Sequence, residues 1–169
     1  MKTIIKNGTV VTAEASFKAD VLIEGETIQA VAESINLDDA KIIDASEKLV
    51  LPGGIDPHVH FELEMMGTVS SDDHYTGGKA AAFGGTTTVI DFVSQGPGSL
   101  EESIKKHRQM ADPKASIDYS VHMNISRFND EVAEQFAQLP SLGVTTIKVF
   151  TAYNGRLRIT DGDIYKAMR

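Results

Sequence analysis

Along the first fifty or so residues, apolar and polar positions alternate in short runs broken by turn residues. "TIIKNGTVVT" reads as strand, Asn-Gly turn, strand, and "ADVLIEGETIQAVA" repeats the pattern with Glu-Gly-Glu as its turn. "KIIDASEKLVLP" is a third short β region. Together they predict a small antiparallel sheet over residues 1–52. Such a sheet buries little by itself and must pack on something else. After Pro52 the rhythm changes. "IDPHVHF" is a short strand; "SSDDHYTGGKAAAFGG" is a helix capped by Ser70 or Ser71, with acids in its first turn and Gly84-Gly85 as its stop. "TTTVIDFV" is a β-branched strand buried on both faces. "SLEESIKKHRQMA" is an amphipathic helix with Leu100, Ile104, His107 and Met110/Ala111 on one side. Then follow strand "SIDYSVHMNIS", helix "NDEVAEQFAQLPSLG" with Val132, Phe136 and Leu139 in register, strand "VTTIKVFTAY", and helix "TDGDIYKAMR" opened by a Thr160/Asp163 capping box.

Strands therefore start near residues 55, 86, 117 and 144, each followed by a helix. A period of about 30 residues is one βα unit of a parallel sheet. An open doubly wound sheet expects a Gly-rich phosphate loop after its first strand, and "HVHFELEMMGT" stands there instead. Histidines at the end of a first strand favour a (β/α)8 TIM barrel. A barrel of this kind takes roughly 250 residues. The expectation is thus the first half of a barrel over 53–169, with the other half supplied by a longer chain or by another polypeptide.

Composition narrows the chemistry. The chain has 169 residues, 41% hydrophobic and 24% charged, as expected of a globular protein. Its net charge of −8 argues against nucleic acid and anionic membrane as partners. "SIKKHRQ" reads as the solvated face of a helix. No apolar run approaches the roughly 18 residues of a membrane span, and no secretory signal is visible, so the cytoplasm is the expected location. Cysteine is absent, so a metal would need His or carboxylate ligands.

In a strand, residues i and i+2 point to one side, so His58 and His60 project together. At the mouth of a barrel they make half a site for Zn²⁺ or a similar ion; taken alone, the same pattern also fits two incidental histidines. Pro57 is an odd choice inside a parallel strand. Lys148 stands in a buried β-branched strand, where it either snorkels, pairs with a carboxylate, or serves chemistry. Asp91 ends the second strand, in reach of orienting a metal-bound histidine or in a plain structural role. His122 reads as a core or supporting residue, and His74 and His107 as helix residues without special placement. Gly77-Gly78 inside a helix points to close helix–sheet packing.

"PGGIDPHVHF", "GTVSSDDHYTGGKAAAFGGTTTVIDF", "IDYSVH" and "IKVFTAY", in this order along the chain, resemble the D-hydantoinase/dihydropyrimidinase family of the amidohydrolase superfamily. The resemblance implies a TIM barrel with a small β-sandwich, residues 1–52 supplying strands of the latter. It implies two divalent ions, usually zinc, held by His58, His60 and a carbamate formed from carbon dioxide on Lys148. Two further histidines and a proton-shuttling aspartate would lie beyond Arg169. Tyr153 matches the family tyrosine that hydrogen-bonds the oxyanion, and Leu63, Met65 and Phe150 match positions around the ring substituent. The implied reaction opens a dihydropyrimidine or 5-substituted hydantoin to an N-carbamoyl amino acid, in pyrimidine catabolism or a related route, within a homotetramer. Without its other half such a chain is expected to be inactive and poorly stable. The segment 61–66, "FELEMM", departs from the usual family wording and adds Glu62 and Glu64 near the mouth. Allantoinase and dihydroorotase are neighbouring alternatives; the latter expects an arginine just after the HxH, absent from "HVHFEL". Non-catalytic signalling relatives share the fold but have lost the ligands.

Overall fold

A computed structural model describes residues 1–65 and 67–169; Met66, the last residue of "FELEMM", lies outside them. Met1–Pro52 and Gly53–Arg169 form two compact units.

In the first unit, β1 (Lys2–Val11) is the central strand. It runs antiparallel to β2 (Ser16–Glu24), which in turn hairpins to β3 (Thr27–Ala32) through Gly25 at φ +63°. On its other side β1 pairs in parallel with β4 (Ala40–Asp44) and β5 (Leu49–Val50). The sheet is therefore mixed rather than antiparallel. The cause is residues 33–39, which carry the chain across to the far side of β1. Asp20 and Lys6 pin this crossing: Ile35 N–H donates to Asp20 Oδ2 at 2.9 Å, and Lys6 Nζ donates to the Ile35 carbonyl at 2.9 Å. The expected Asn7-Gly8 turn is a bulge within one continuous strand. The register shifts between Ile5 and Gly8, Asn7 takes φ +67°, and its N–H donates to Asp20 Oδ1 at 2.9 Å. Gly8 is required there, because a Cβ would stand 2.5 Å from Val50 Cγ2. Burial of the Asp20 carboxyl works to raise its pKa, but the N–H groups of Ile35 and Asn7 and the Lys6 ammonium outweigh it and hold it low.

The second unit opens with β6 (Gly54–Asp56). The hairpin β7 (Glu64–Met65) and β8 (Thr68–Val69) follows, then α1 (Thr76–Phe83), β9 (Thr86–Ser94) and α2 (Leu100–Ala111). Beyond them lie β10 (Asp118–Ile125), α3 (Asp130–Phe136), β11 (Ile147–Val149) and α4 (Asp161–Ala167). The sheet order is β11-β10-β9-β6, every neighbour parallel. Each new strand is laid beside the one before it, without the reversal that defines a doubly wound sheet. Sequential parallel growth with a helix after each strand is the winding found in a barrel.

Three element limits differ from expectation. Neither Ser70 nor Ser71 caps α1. Ser70 Oγ instead accepts the Leu63 N–H at 2.8 Å, and Asp73 Oδ1 accepts from Tyr75 and Thr76 at 3.0 and 2.7 Å. The acids thus precede the helix, whose first turn holds none. Second, the β6 strand ends at Asp56, so Pro57 lies beyond it; with no N–H, Pro57 cannot continue the ladder. Third, α3 stops at Phe136, and the stretch after it ends in a 3-10 turn, Pro140–Leu142, closed by Gly143 at φ +75°. By contrast α2 carries the full capping box of Ser99 and Glu102, and it buries Leu100, Ile104 and Ala111. Leu100 and Ile104 meet Val93, Met123 and Val132 in the core of this unit. Ile104 and Met123, at most 1% exposed, contribute about 2 kcal/mol each by burial. Among the described residues no helix is long and apolar enough to cross a membrane.

Candidate metal centre

The site begins where β6 ends. His58 N–H is held by Asp56 Oδ1 at 3.0 Å, and Val59 N–H regains the ladder through the Ile90 carbonyl at 3.2 Å. This irregular segment still sends both imidazoles the same way, their ring centroids 5.0 Å apart. Beneath them lies Phe92 of β9, 4.6 Å from His58 and 4.9 Å from His60. Lys148 of β11 brings its ammonium over the same ring at 4.1 Å, and over Phe150 at 5.1 Å, instead of against a carboxylate. Three candidate ligands from two distant stretches of sequence thus converge on one aromatic platform. His122 rests on it too, at 5.0 Å, and its ring nitrogens meet the Thr146 hydroxyl and the Pro57 carbonyl. It braces the turn that carries His58.

Desolvation lowers the pKa of His60, helped by the charges of His58 and Lys148 and opposed by Asp91. A neutral imidazole keeps a lone pair free for a metal. Beside this group opens a cavity of about 690 Å³ whose lining includes His60, Leu63, Met65, Lys148, Phe150 and Tyr153. His58 does not line it. Tyr153 is exposed, holds φ +66°, and sets its ring edge-on to Phe150 at 5.7 Å. A left-handed tyrosine is uncommon. Its carbonyl collects the N–H groups of Arg156, Leu157 and Arg158, which stabilises the turn. Glu64 also lines the cavity, but Glu62 does not. At φ +50°, Glu62 turns back to Lys114 at 2.5 Å, and that bond raises the lysine pKa.

No family model matches the chain. It is 41% identical to a D-hydantoinase of Geobacillus stearothermophilus over 170 residues, 99% of this chain and 36% of the relative. It is 43% identical to a dihydropyrimidinase of Dictyostelium discoideum, over 96% of this chain and 33% of the relative. The crystal structure of a dihydropyrimidinase from Brevibacillus agri superposes with a TM-score of 0.94 at 45% identity, over 99% of this chain and 37% of that one. Over nearly its whole length the chain is a homologue of D-hydantoinases and dihydropyrimidinases. It spans about a third of the length of these hydantoinases and dihydropyrimidinases.

Against this hydantoinase frame, three placements depart from the sequence reading. Asp91 does not face His58 and His60. It points to the opposite side of β9 from Phe92, toward the helices, where it meets His74 and His107. Those two histidines, read as unremarkable helix residues, are a buried and a half-buried member of one cluster. The signal was available: a carboxylate in a strand buried on both faces needs a partner, and the sequence offers few cations nearby. Phe92, the platform itself, had no signal beyond being apolar.

Proposed function

We propose that this chain contributes to a metal-dependent hydrolase that opens the cyclic amide of a dihydropyrimidine or 5-substituted hydantoin, giving an N-carbamoyl amino acid. The observation that supports this most is the convergence of His58, His60 and Lys148 on the Phe92 ring, with His60 and Lys148 lining the cavity. The donor set fits a divalent ion. The two imidazoles are neighbours, and among the described residues Lys148 has no carboxylate partner; its neutral amine can add carbon dioxide to become a carbamate, releasing one proton. His58, His60 and the Lys148 carbamate would hold two divalent ions, zinc by the donor types. Such ions supply Lewis acidity and a water of lowered pKa.

The remaining roles belong to this chain's own side chains. Tyr153, exposed in its side chain and left-handed in its backbone, donates its hydroxyl to the carbonyl oxygen as charge grows there. Leu63, Met65 and Phe150 give the ring substituent an apolar wall. In this reading residues 1–52 contribute strands to a β-sandwich and 53–169 the first half of the barrel. The complete enzyme works as a homo-oligomer, a tetramer, in the cytoplasm on a small cyclic substrate, with neither nucleic acid nor membrane as partner. Lys148→Ala in the intact protein tests the proposal: metal bound at His58 and His60 and ring-opening turnover are both lost. Unchanged turnover refutes it.

A further inference from the structure

Behind the sheet, on the side away from Phe92, three side chains from three elements meet. His74 comes from the turn before α1, Asp91 from β9 and His107 from α2. His74 and Asp91 are each 2% exposed, and the His107 side chain 9%. Asp91 Oδ2 lies 3.4 Å from His74 Nε2 and 4.0 Å from His107 Nε2, and all three atoms fall within 4.8 Å of one another. Among the described residues none of these three atoms has a hydrogen-bond partner. The other carboxylate oxygen is occupied, accepting the Phe92 N–H at 2.7 Å. Buried polar atoms are nearly always satisfied, so three orphans aimed at one point call for a missing partner.

We propose that His74, Asp91 and His107 form a second cation site, for a single divalent ion of the zinc class, separate from the group on Phe92. Two imidazoles and one carboxylate are the donor set such an ion prefers. Bonds of about 2.0–2.2 Å in a tetrahedron place donors roughly 3.3 Å apart. The His74–Asp91 spacing of 3.4 Å already meets this, and His107, 4.0 Å from Asp91, must close on it by about 0.7 Å. A bare ion pair serves less well. Asp91 Oδ2 faces two ring nitrogens at once, and neither approaches in hydrogen-bonding geometry. The surroundings also favour a cation, since Glu62 and Asp112 add negative potential at His107. Phe61 and Tyr119 pack their rings against His74 at 5.2 and 5.1 Å and shield the site from bulk water. An ion there ties the turn before α1, β9 and α2 into one body, directly behind the platform residue.

The test uses the intact protein, stripped of metal and re-equilibrated with micromolar zinc. An anomalous difference map at the zinc edge is expected to show a peak within about 2.0–2.2 Å of His74 Nε2, Asp91 Oδ2 and His107 Nε2. By elemental analysis, His107→Leu is expected to carry one zinc fewer per chain than wild type while keeping the rest. The proposal is overturned by an empty map at the cluster, by density that appears only at millimolar zinc, or by equal zinc in wild type and His107→Leu. Should His107→Leu fail to fold, the wild-type map alone decides.

Discussion

Gly77 faces the ring of Phe61, and a Cβ added there would lie 2.2 Å from Cε1, 2.7 Å from Cζ and 2.8 Å from Cδ1. Carbon atoms pack best at about 3.5–4.0 Å, so the nearest contact is short by about 1.3 Å, the difference between 3.5 and 2.2 Å. Phe61 must move, and it is not free to do so. Its ring stacks edge-on with buried His74, and its backbone follows His60 directly. Forcing a methyl into such a contact costs about 1–3 kcal/mol. Alanine in a helix returns up to about 1 kcal/mol relative to glycine. Gly77→Ala is therefore expected to destabilise the intact protein by about 1–2 kcal/mol and, through Phe61, to weaken metal retention at His60. Denaturant midpoints read the first effect and dialysis against a chelator the second. Gly78→Ala is the control. There the Cβ meets Ser116 Oγ at 2.6 Å, and a hydroxyl can rotate away, giving up one bond to the Tyr75 carbonyl. Its cost is expected below about 1 kcal/mol. In a Phe61→Leu background the Gly77→Ala penalty should largely vanish, because the smaller side chain yields the space. A Gly77→Ala protein as stable as wild type, or a penalty unchanged by Phe61→Leu, refutes the steric reasoning.

Tyr153→Phe is expected to lower kcat by about 10²–10³ with little change in KM, as for loss of one oxyanion donor; steady-state kinetics on a hydantoin or dihydropyrimidine reads it. Asp20→Asn removes a carboxylate that holds two backbone N–H groups and Lys6, and should cost about 1–2 kcal/mol at neutral pH. The folded pKa of Asp20 lies below its unfolded value, so its contribution is complete above the unfolded pKa and is lost as pH falls through the folded one. The stability gap between wild type and Asp20→Asn should therefore narrow on acidification below about pH 4. A gap independent of pH contradicts this origin. Ser99→Ala breaks the reciprocal Ser99–Glu102 cap of α2 and should cost about 1 kcal/mol, read as a shift in denaturant midpoint.

Local patterns carried the elements whose causes are local. The β9 strand, the amphipathic helix α2 and the Thr160 cap of α4 follow from residues a few positions apart. What depends on distant partners did not show. Asn7-Gly8 has every mark of a hairpin turn, yet Asp20, thirteen positions on, catches the Asn7 N–H and keeps the strand going. Parallel pairing of β4 with β1 depends on where residues 33–39 cross, which alternation cannot reveal. At the site, the spacing of His58 and His60 announced that they share a side, although the strand itself ends two residues earlier. Lys148 stood out as a charge in an apolar run, but its position over Phe92 is a matter of strand order. His74 and His107 were hidden because each looks ordinary on its own element; only the fold brings them to Asp91.

The Phe92 platform has one further consequence. Two imidazoles, a third at the rear and an ammonium all take their bearings from a single benzene ring. Breathing of β9 therefore reaches them as a common-mode displacement: the group translates as one, while the separations inside it change far less. Tolerance to thermal motion in such a cluster comes from sharing one reference surface, and the stiffness of each separate attachment matters less.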